Sequence, residues 1–193
     1  MKKIGLTGGI GSGKSTISKI FKFLGVPIYN SDEIVRELLL KNKEVRKKII
    51  HLLGKNILTD QDIDTKKIAK IIFNDRSKLN SMNKIIHREV KKNFKHWLVR
   101  QKGNYIIKES AIIFETKIES IFDKIIFVKC PKKIKINRIK KRDNISENLI
   151  LSIMNNQYSN DTLSKKADYI INNGNNDPLI LQVIELDKKI KCS

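Results

Sequence analysis

Cysteine, proline and long apolar runs are nearly missing from this chain. Its two cysteines, Cys130 and Cys192, stand far apart, which excludes a disulfide framework or a zinc knuckle. Three prolines and nine glycines in 193 residues exclude collagen-like and proline-rich architectures. The longest apolar runs, such as Ala111 to Phe114 and Ile125 to Val128, reach about four residues, where a membrane span needs about twenty. Met1-Lys2-Lys3 runs straight into Ile4-Gly5-Leu6-Thr7 and a glycine loop, so no secretory segment is expected. A soluble, reducing, cytoplasmic setting with no membrane partner is the expectation.

Acidic residues are also scarce. Twenty stand against forty Lys and Arg, leaving a net charge of +20. Such a balance suits a nucleic-acid binder or a site for a polyanionic small molecule. It equally suits A/T-rich codon usage, because Lys, Ile and Asn are all abundant and the lysines are spread along the chain. Aromatics make up only 6%, which leaves few platforms for stacking single-stranded bases. No obligate nucleic-acid partner is expected.

What remains is 40% hydrophobic. A chain this long buries roughly 70% of its unfolded surface as one domain, with room for a small insertion. Lys2 to Thr7 reads as a strand and Gly8 to Gly13 as a loop. Ile17, Ile20, Phe21 and Leu24 form one face of a helix that Gly25 ends. Val26 to Tyr29 reads as a second strand. This β-loop-α-β start opens a doubly wound parallel α/β sheet. Ser31 or Asp32 caps a helix to about Leu40. From Lys43 to Gln101 the pattern is almost wholly helical. One stripe holds Val45, Ile49, Ile50 and Leu53. A second, capped by Asp64 or Thr65, holds Ile68, Ile71 and Ile72. A long third runs from Leu79 through Met82, Ile86, Val90 and Phe94 to Trp97. Strands return at Tyr105 to Lys108, ending at Glu109, at Lys124 to Lys129, and at Tyr169 to Ile171. Lys132 to Lys141 is a basic helix, and a further one lies within Asn144 to Asn160, capped by Ser146. The last helix carries Leu181, Ile184 and Ile190.

Gly8-Gly9-Ile10-Gly11-Ser12-Gly13-Lys14-Ser15 satisfies G-x-x-x-x-G-K-S between a strand and a helix. Glycines let backbone N–H groups wrap a polyphosphate, and the following helix adds its positive end. Lys14 places charge near the β- and γ-phosphates, and the Ser15 hydroxyl suits Mg²⁺. Nucleoside triphosphate binding follows, but not the use made of it. A guanine signature N-K-x-D is missing, since Asn83-Lys84 is followed by Ile85-Ile86. The size, the helical insertion and an arginine-bearing helix point to a small-molecule kinase. Asp32 follows the second strand, where its carboxylate either acts on an acceptor hydroxyl or only caps a helix. Arg138 and Arg142 share a helix face and either stabilise a moving phosphoryl group or belong to a solvated basic face. Lys132, Lys133, Lys135, Lys140 and Lys141 surround them. Cys130 reads as a packed small hydrophobe.

These residues resemble the dephospho-coenzyme A kinase family. The stretch Leu6-Thr7-Gly8-Gly9-Ile10-Gly11-Ser12-Gly13-Lys14-Ser15-Thr16 matches the family's L-T-G-G-I-G-S-G-K-S-T. Its D-A-D with a later arginine becomes Asn30-Ser31-Asp32 and Arg36. Its L-H-P becomes Ile86-His87-Arg88, and D-x-P-L-L-F-E becomes Glu109 through Glu115. The lid R-x-x-x-R matches Arg138 and Arg142, a later glutamine matches Gln157, and A-D-x-I-x-N-x-G matches Ala167 to Gly174.

The resemblance implies a five-stranded, nucleoside-monophosphate-kinase-like P-loop fold. It is expected as a single domain over 1–193, with core about 1–40 and 103–193, a helical acceptor-binding insertion about 41–102 and a lid about 132–160. It also implies transfer of the γ-phosphate of ATP to the 3′-hydroxyl of dephospho-coenzyme A, the final step of coenzyme A synthesis, and a monomer is expected. Gly8, Gly9, Ile10, Gly11, Ser12, Gly13, Lys14, Ser15, Thr16 and Asn173 would hold ATP. Ser15 and Glu109 would serve Mg²⁺. Asp32, Arg36 and His87 would bind the acceptor, and Asp32, Lys14, Arg138 and Arg142 would carry catalysis. The alternatives are another nucleoside or small-molecule kinase, or an NTP-dependent nucleic-acid binder.

Overall fold

The computed structural model describes residues 1–192 and, within them, every side chain but those of residues 73, 74 and 76. The chain divides into two compact units, Met1–Asn30 joined by the chain from Gln101 onward, and Ser31–Arg100.

The first unit is built on a five-stranded parallel sheet. Its strands are β1 (Lys2–Thr7), β2 (Ile28–Asn30), β5 (Tyr105–Glu109), β6 (Lys124–Lys129) and β7 (Tyr169–Asn172), in the order β2-β5-β1-β6-β7. The chain builds to one side of β1 first and then to the other. The reversal therefore falls at the carboxyl end of β1, where such sheets hold ligands. One face packs Ile4, Leu6, Ile107, Ile126 and Val128 against α1 (Lys14–Phe23) and α9 (Leu179–Cys192). The other packs Ile125 and Phe127 against Ile113, Phe114 and Leu163 of α8 (Asn160–Lys166). Burial on both faces explains why the strands read as continuous apolar runs.

β2 starts two residues later than the apolar run Val26 to Tyr29 suggests. The Val26 N–H donates to Phe21 O at 3.1 Å and the Gly25 N–H to Lys22 O at 3.0 Å, so Val26 closes the helix before it. The expected helix within Asn144 to Asn160 is α7 (Glu147–Asn155), capped by Ser146, and a further short helix that the reading did not include, α8, follows it, capped by Ser159. In α9 the inward face is Val183, Leu186, Asp187 and Ile190, whereas Leu181 is 61% exposed. Asp187 is buried because it accepts from Tyr105 Oη at 2.6 Å and from Lys191 Nζ at 2.8 Å.

The second unit holds α2 (Ser31–Lys41), α3 (Lys43–Leu53), α4 (Thr65–Asn74) and α5 (Arg76–Leu98). Asn42, Asp64 and Asp75 cap the last three, and their buried stripes follow the apolar spacing. The almost wholly helical expectation fails at one place. Leu58–Thr59 (β3) pairs with Asp62–Ile63 (β4) around Asp60 and Gln61, which take φ of 47° and 67°. A two-residue turn with both centres left-handed fits a hairpin, and Arg46 secures it by donating to Gln61 O at 2.9 Å. Among the described residues no helix is long and apolar enough to cross a membrane.

β5 carries an unexpected buried lysine. Lys108 is 4% exposed and its ammonium lies 5.6 Å from the centre of the buried Tyr29 ring. Burial pushes its pKa down to about 8. Between that value and the ordinary 10.5, the unfolded chain binds the proton and the folded chain does not, so stability climbs with pH across this window. Lys108→Met should stabilise the fold at pH 7 by about 1–3 kcal/mol and flatten that climb. Urea unfolding at pH 7 and pH 10 checks both, and a Met variant less stable than the parent at pH 7 contradicts the assignment.

Candidate active site

Thr7 ends β1, and Gly8 to Gly13 carry the chain over the carboxyl edge of the sheet into α1. The loop closes on itself through Ser12 N–H to Gly9 O at 3.1 Å. Gly11 and Gly13 have φ of 75° and 91°, a region costly for residues with a side chain. At Gly13 a Cβ would also run into the Asn173 amide, and at Gly11 it would lie 2.8 Å from Lys135 O and 2.9 Å from Ile139 Cγ1. Both glycines are thus required twice, by conformation and by space. The first amides of α1 face out of its amino end, since the first turn of a helix has no intrahelical acceptors. Lys14 is buried and donates to Gly8 O at 2.9 Å and Gly9 O at 3.4 Å. Among the described residues the Thr7 and Ser12 hydroxyls, buried here, have no hydrogen-bond partner. Buried polar atoms without partners are rare in folded proteins and suit a site that binds something polar. Ser15 and Thr16 are exposed on the first turn of α1.

Residues from the far end of the chain hold the loop in shape. Gln157 Oε1 accepts from Ile10 N–H at 2.9 Å. Asn173, just beyond β7, donates from Nδ2 to Ser12 O at 2.7 Å. Arg138, on α6 (Lys132–Asp143), donates to Asn173 Oδ1 at 3.2 Å, Asn173 O at 3.4 Å and Gly174 O at 3.3 Å. Arg142, one turn further along α6, pairs with Asp143 through bonds of 2.7 and 2.8 Å. The two arginines share a face but differ in setting: Arg138 braces the Asn173 turn, while Arg142 stands at the exposed end of the helix.

The carboxylate at this edge is Glu109, the last residue of β5, in register with Leu6 of β1 and Asn30 of β2. It is 2% exposed, and Ser18 Oγ donates to its Oε2 at 2.6 Å. Ser18 follows Ser15 by one turn of α1, so Glu109 is drawn toward the helix face that carries the Ser15 hydroxyl. After Glu109 the chain turns without a proline. Ser110 N–H donates to Leu6 O at 3.0 Å, and Ser110 Oγ accepts from Ile112 N–H at 3.4 Å. Glu115 Oε1 then accepts from Tyr158 N–H at 2.8 Å, next to Gln157. In the helical unit, Asp32 and Arg36 are exposed one turn apart on α2, and His87 is exposed on α5.

A family model described as dephospho-CoA kinase matches residues 2–178. The chain belongs to the dephospho-CoA kinase family. As a member it is an ATP-dependent kinase, and its reaction is the phosphorylation of dephospho-CoA that completes coenzyme A synthesis. The dephospho-CoA kinase of Fusobacterium nucleatum is 38% identical over 174 residues, 90% of each chain. The solved dephospho-CoA kinase of Campylobacter jejuni superposes with a TM-score of 0.70 at 26% identity, covering 98% of this chain and 97% of that one. A shikimate kinase from Bacteroides thetaiotaomicron shares the fold, with a TM-score of 0.55 at 17% identity over 98% of each chain.

Two residues of the site escape a reading of the sequence. Ser18, which fixes Glu109, looks like an ordinary helix position. Lys135 looks like one of many solvated lysines on α6, yet it is 7% exposed. The signal was its spacing, three residues before Arg138 and four before the buried Ile139, on the face turned to the loop. Burial lowers the Lys135 pKa, and the nearby charges of Lys14 and Lys132 lower it further against an opposing contribution from Cys130. Cys130 is fully buried, as a small hydrophobe would be.

Proposed function

We propose that Asp32 takes or orients the proton of the 3′-hydroxyl of dephospho-CoA while the γ-phosphoryl group of ATP moves to that oxygen. The O–P bond to the acceptor forms as the bond to the β-phosphate oxygen breaks, and ADP leaves. Gly8 to Gly13 and the first amides of α1 hold the phosphates, and Lys14 supplies charge to them. Arg36 and His87 bind the acceptor. Arg138 holds Asn173 against the loop, and Arg142 closes over the moving charge. The observation that supports this reading most is the braced glycine loop, with Lys14 and two unpartnered hydroxyls buried at its wall and Glu109 on the neighbouring strand.

The donors available for Mg²⁺ are the Ser15 hydroxyl and the Glu109 carboxylate, hard oxygens of the kind this ion prefers. Such an ion would be held largely by substrate phosphates and water, with these two side chains beside it. When bound, Mg²⁺ neutralises phosphate charge. All these roles come from one chain, so the reading requires no second copy, and a cytoplasmic setting is part of the same proposal.

A coupled ADP-release assay tests the acceptor. Dephospho-CoA should turn over, with adenosine, AMP and shikimate each at least about 10²-fold slower in kcat/KM, as the loss of one or two recognised polar groups implies. Equal rates on any of the other three overturn the acceptor assignment.

A further inference from the structure

We propose that Lys135 is a second phosphate-binding ammonium of the nucleotide site, acting beside Lys14 on the same polyphosphate. The proposal rests on the reading of the glycine loop as the ATP site and adds a residue to it. Four observations support it. First, a methyl group placed on Gly9 would lie 3.3 Å from Lys135 Nζ and 3.2 Å from Gln157 Oε1, so the ammonium stands directly over the loop backbone. Second, Lys14 donates to the carbonyls of Gly8 and Gly9, so two buried ammonium groups flank one dipeptide. Third, the described hydrogen bond of Lys135 is a single one, to the neutral amide Asn160 Oδ1 at 3.3 Å. No carboxylate among the described residues pairs with it. Fourth, burial works against its charge, and the repulsive charges of Lys14 and Lys132 act in the same direction, against an opposing contribution from Cys130.

A buried cation is ordinarily matched by an anion, because burial strips its hydration. Lys135 and Lys14 beside one loop repel each other, and the repulsion is strong in a low-dielectric place. A polyphosphate is the anion whose size and charge would relieve both. Asn160 keeps Lys135 in place: its Nδ2 donates to Cys130 O at 2.9 Å while its Oδ1 accepts from the ammonium. Lys135 is thus built into position at the loop, unlike the exposed Lys132 and Lys133 on the same helix.

The test uses the full chain with Lys135→Met, Lys135→Arg and, as a control for bulk charge, Lys133→Met. Calorimetry measures the Kd for ATP and for inorganic tripolyphosphate, and thermal unfolding is followed with and without each. Lys135→Met should weaken both ligands about 10- to 100-fold, the range for a lost hydrogen bond to a charged group. Lys135→Arg should recover part of that loss, and Lys133→Met should change affinity by less than about twofold, as a screened surface charge does. Without ligand, Lys135→Met should melt no lower than the parent, since it removes a buried repulsion, while its ligand-induced rise in Tm shrinks. Parental affinity in a folded Lys135→Met variant overturns the proposal. So does a lower unliganded Tm with unchanged affinity, which would make Lys135 only a strut for Asn160. If the parent itself binds neither ligand, it is the ATP reading of the loop that fails, and this proposal with it.

Discussion

Asp32→Asn is expected to lower kcat about 10²- to 10⁴-fold, the range for losing a general base, while the Kd for ATP stays within roughly twofold of the parent. The substitution separates two roles that share a position. Asp32 lies in the first turn of α2, where an acidic side chain also complements the helix amino end. Asn keeps the size and the hydrogen-bonding oxygen of Asp and serves a helix start about as well, so the fold should persist. What Asn lacks is the charge that draws a proton from a hydroxyl. Steady-state rates with dephospho-CoA, set beside calorimetric ATP binding, read the two effects apart. Parental turnover in the variant removes Asp32 from the chemistry and leaves it a helix-start residue.

Lys14→Ala should damage binding and turnover together. The ammonium is buried against the Gly8 and Gly9 carbonyls, so its position is fixed before any phosphate arrives. Removing it should raise the Kd for ATP about 10- to 100-fold. Loss of a preorganised donor to the transferred group should lower kcat a further 10²–10³-fold or so. Asp32→Asn and Lys14→Ala therefore differ in signature, the first acting on kcat alone and the second on both constants. ATP held as tightly by the Ala variant as by the parent would mean that Gly8 to Ser15 shape something other than a triphosphate site.

Much of this was legible in the residues because local chemistry dictates it. The glycine loop, its lysine and its flanking strand and helix are contiguous, and every one of them stands where the spacing puts it. The stripe Met82, Ile86, Val90 and Phe94 is buried as its period requires. What stayed hidden depends on partners remote in sequence. The Leu58–Ile63 hairpin has two-residue strands and an Asp-Gln turn, too short for a periodic signal. The inward face of α9 includes Asp187, which the distant Tyr105 hydroxyl and its own Lys191 make acceptable in the interior. Lys135 and Arg138 could be placed on one helix face from their spacing. That one sits over Gly9 and the other braces Asn173 follows from the sheet order, which brings β6, β7 and their outgoing loops beside β1.

The clamp from Asn173 to Ser12 spans 161 residues of chain. During synthesis the glycine loop leaves the ribosome early and waits for that clamp. At ordinary elongation rates the delay is roughly 10–30 s. A nascent chain thus carries the glycine loop long before the residue that clamps it has been made.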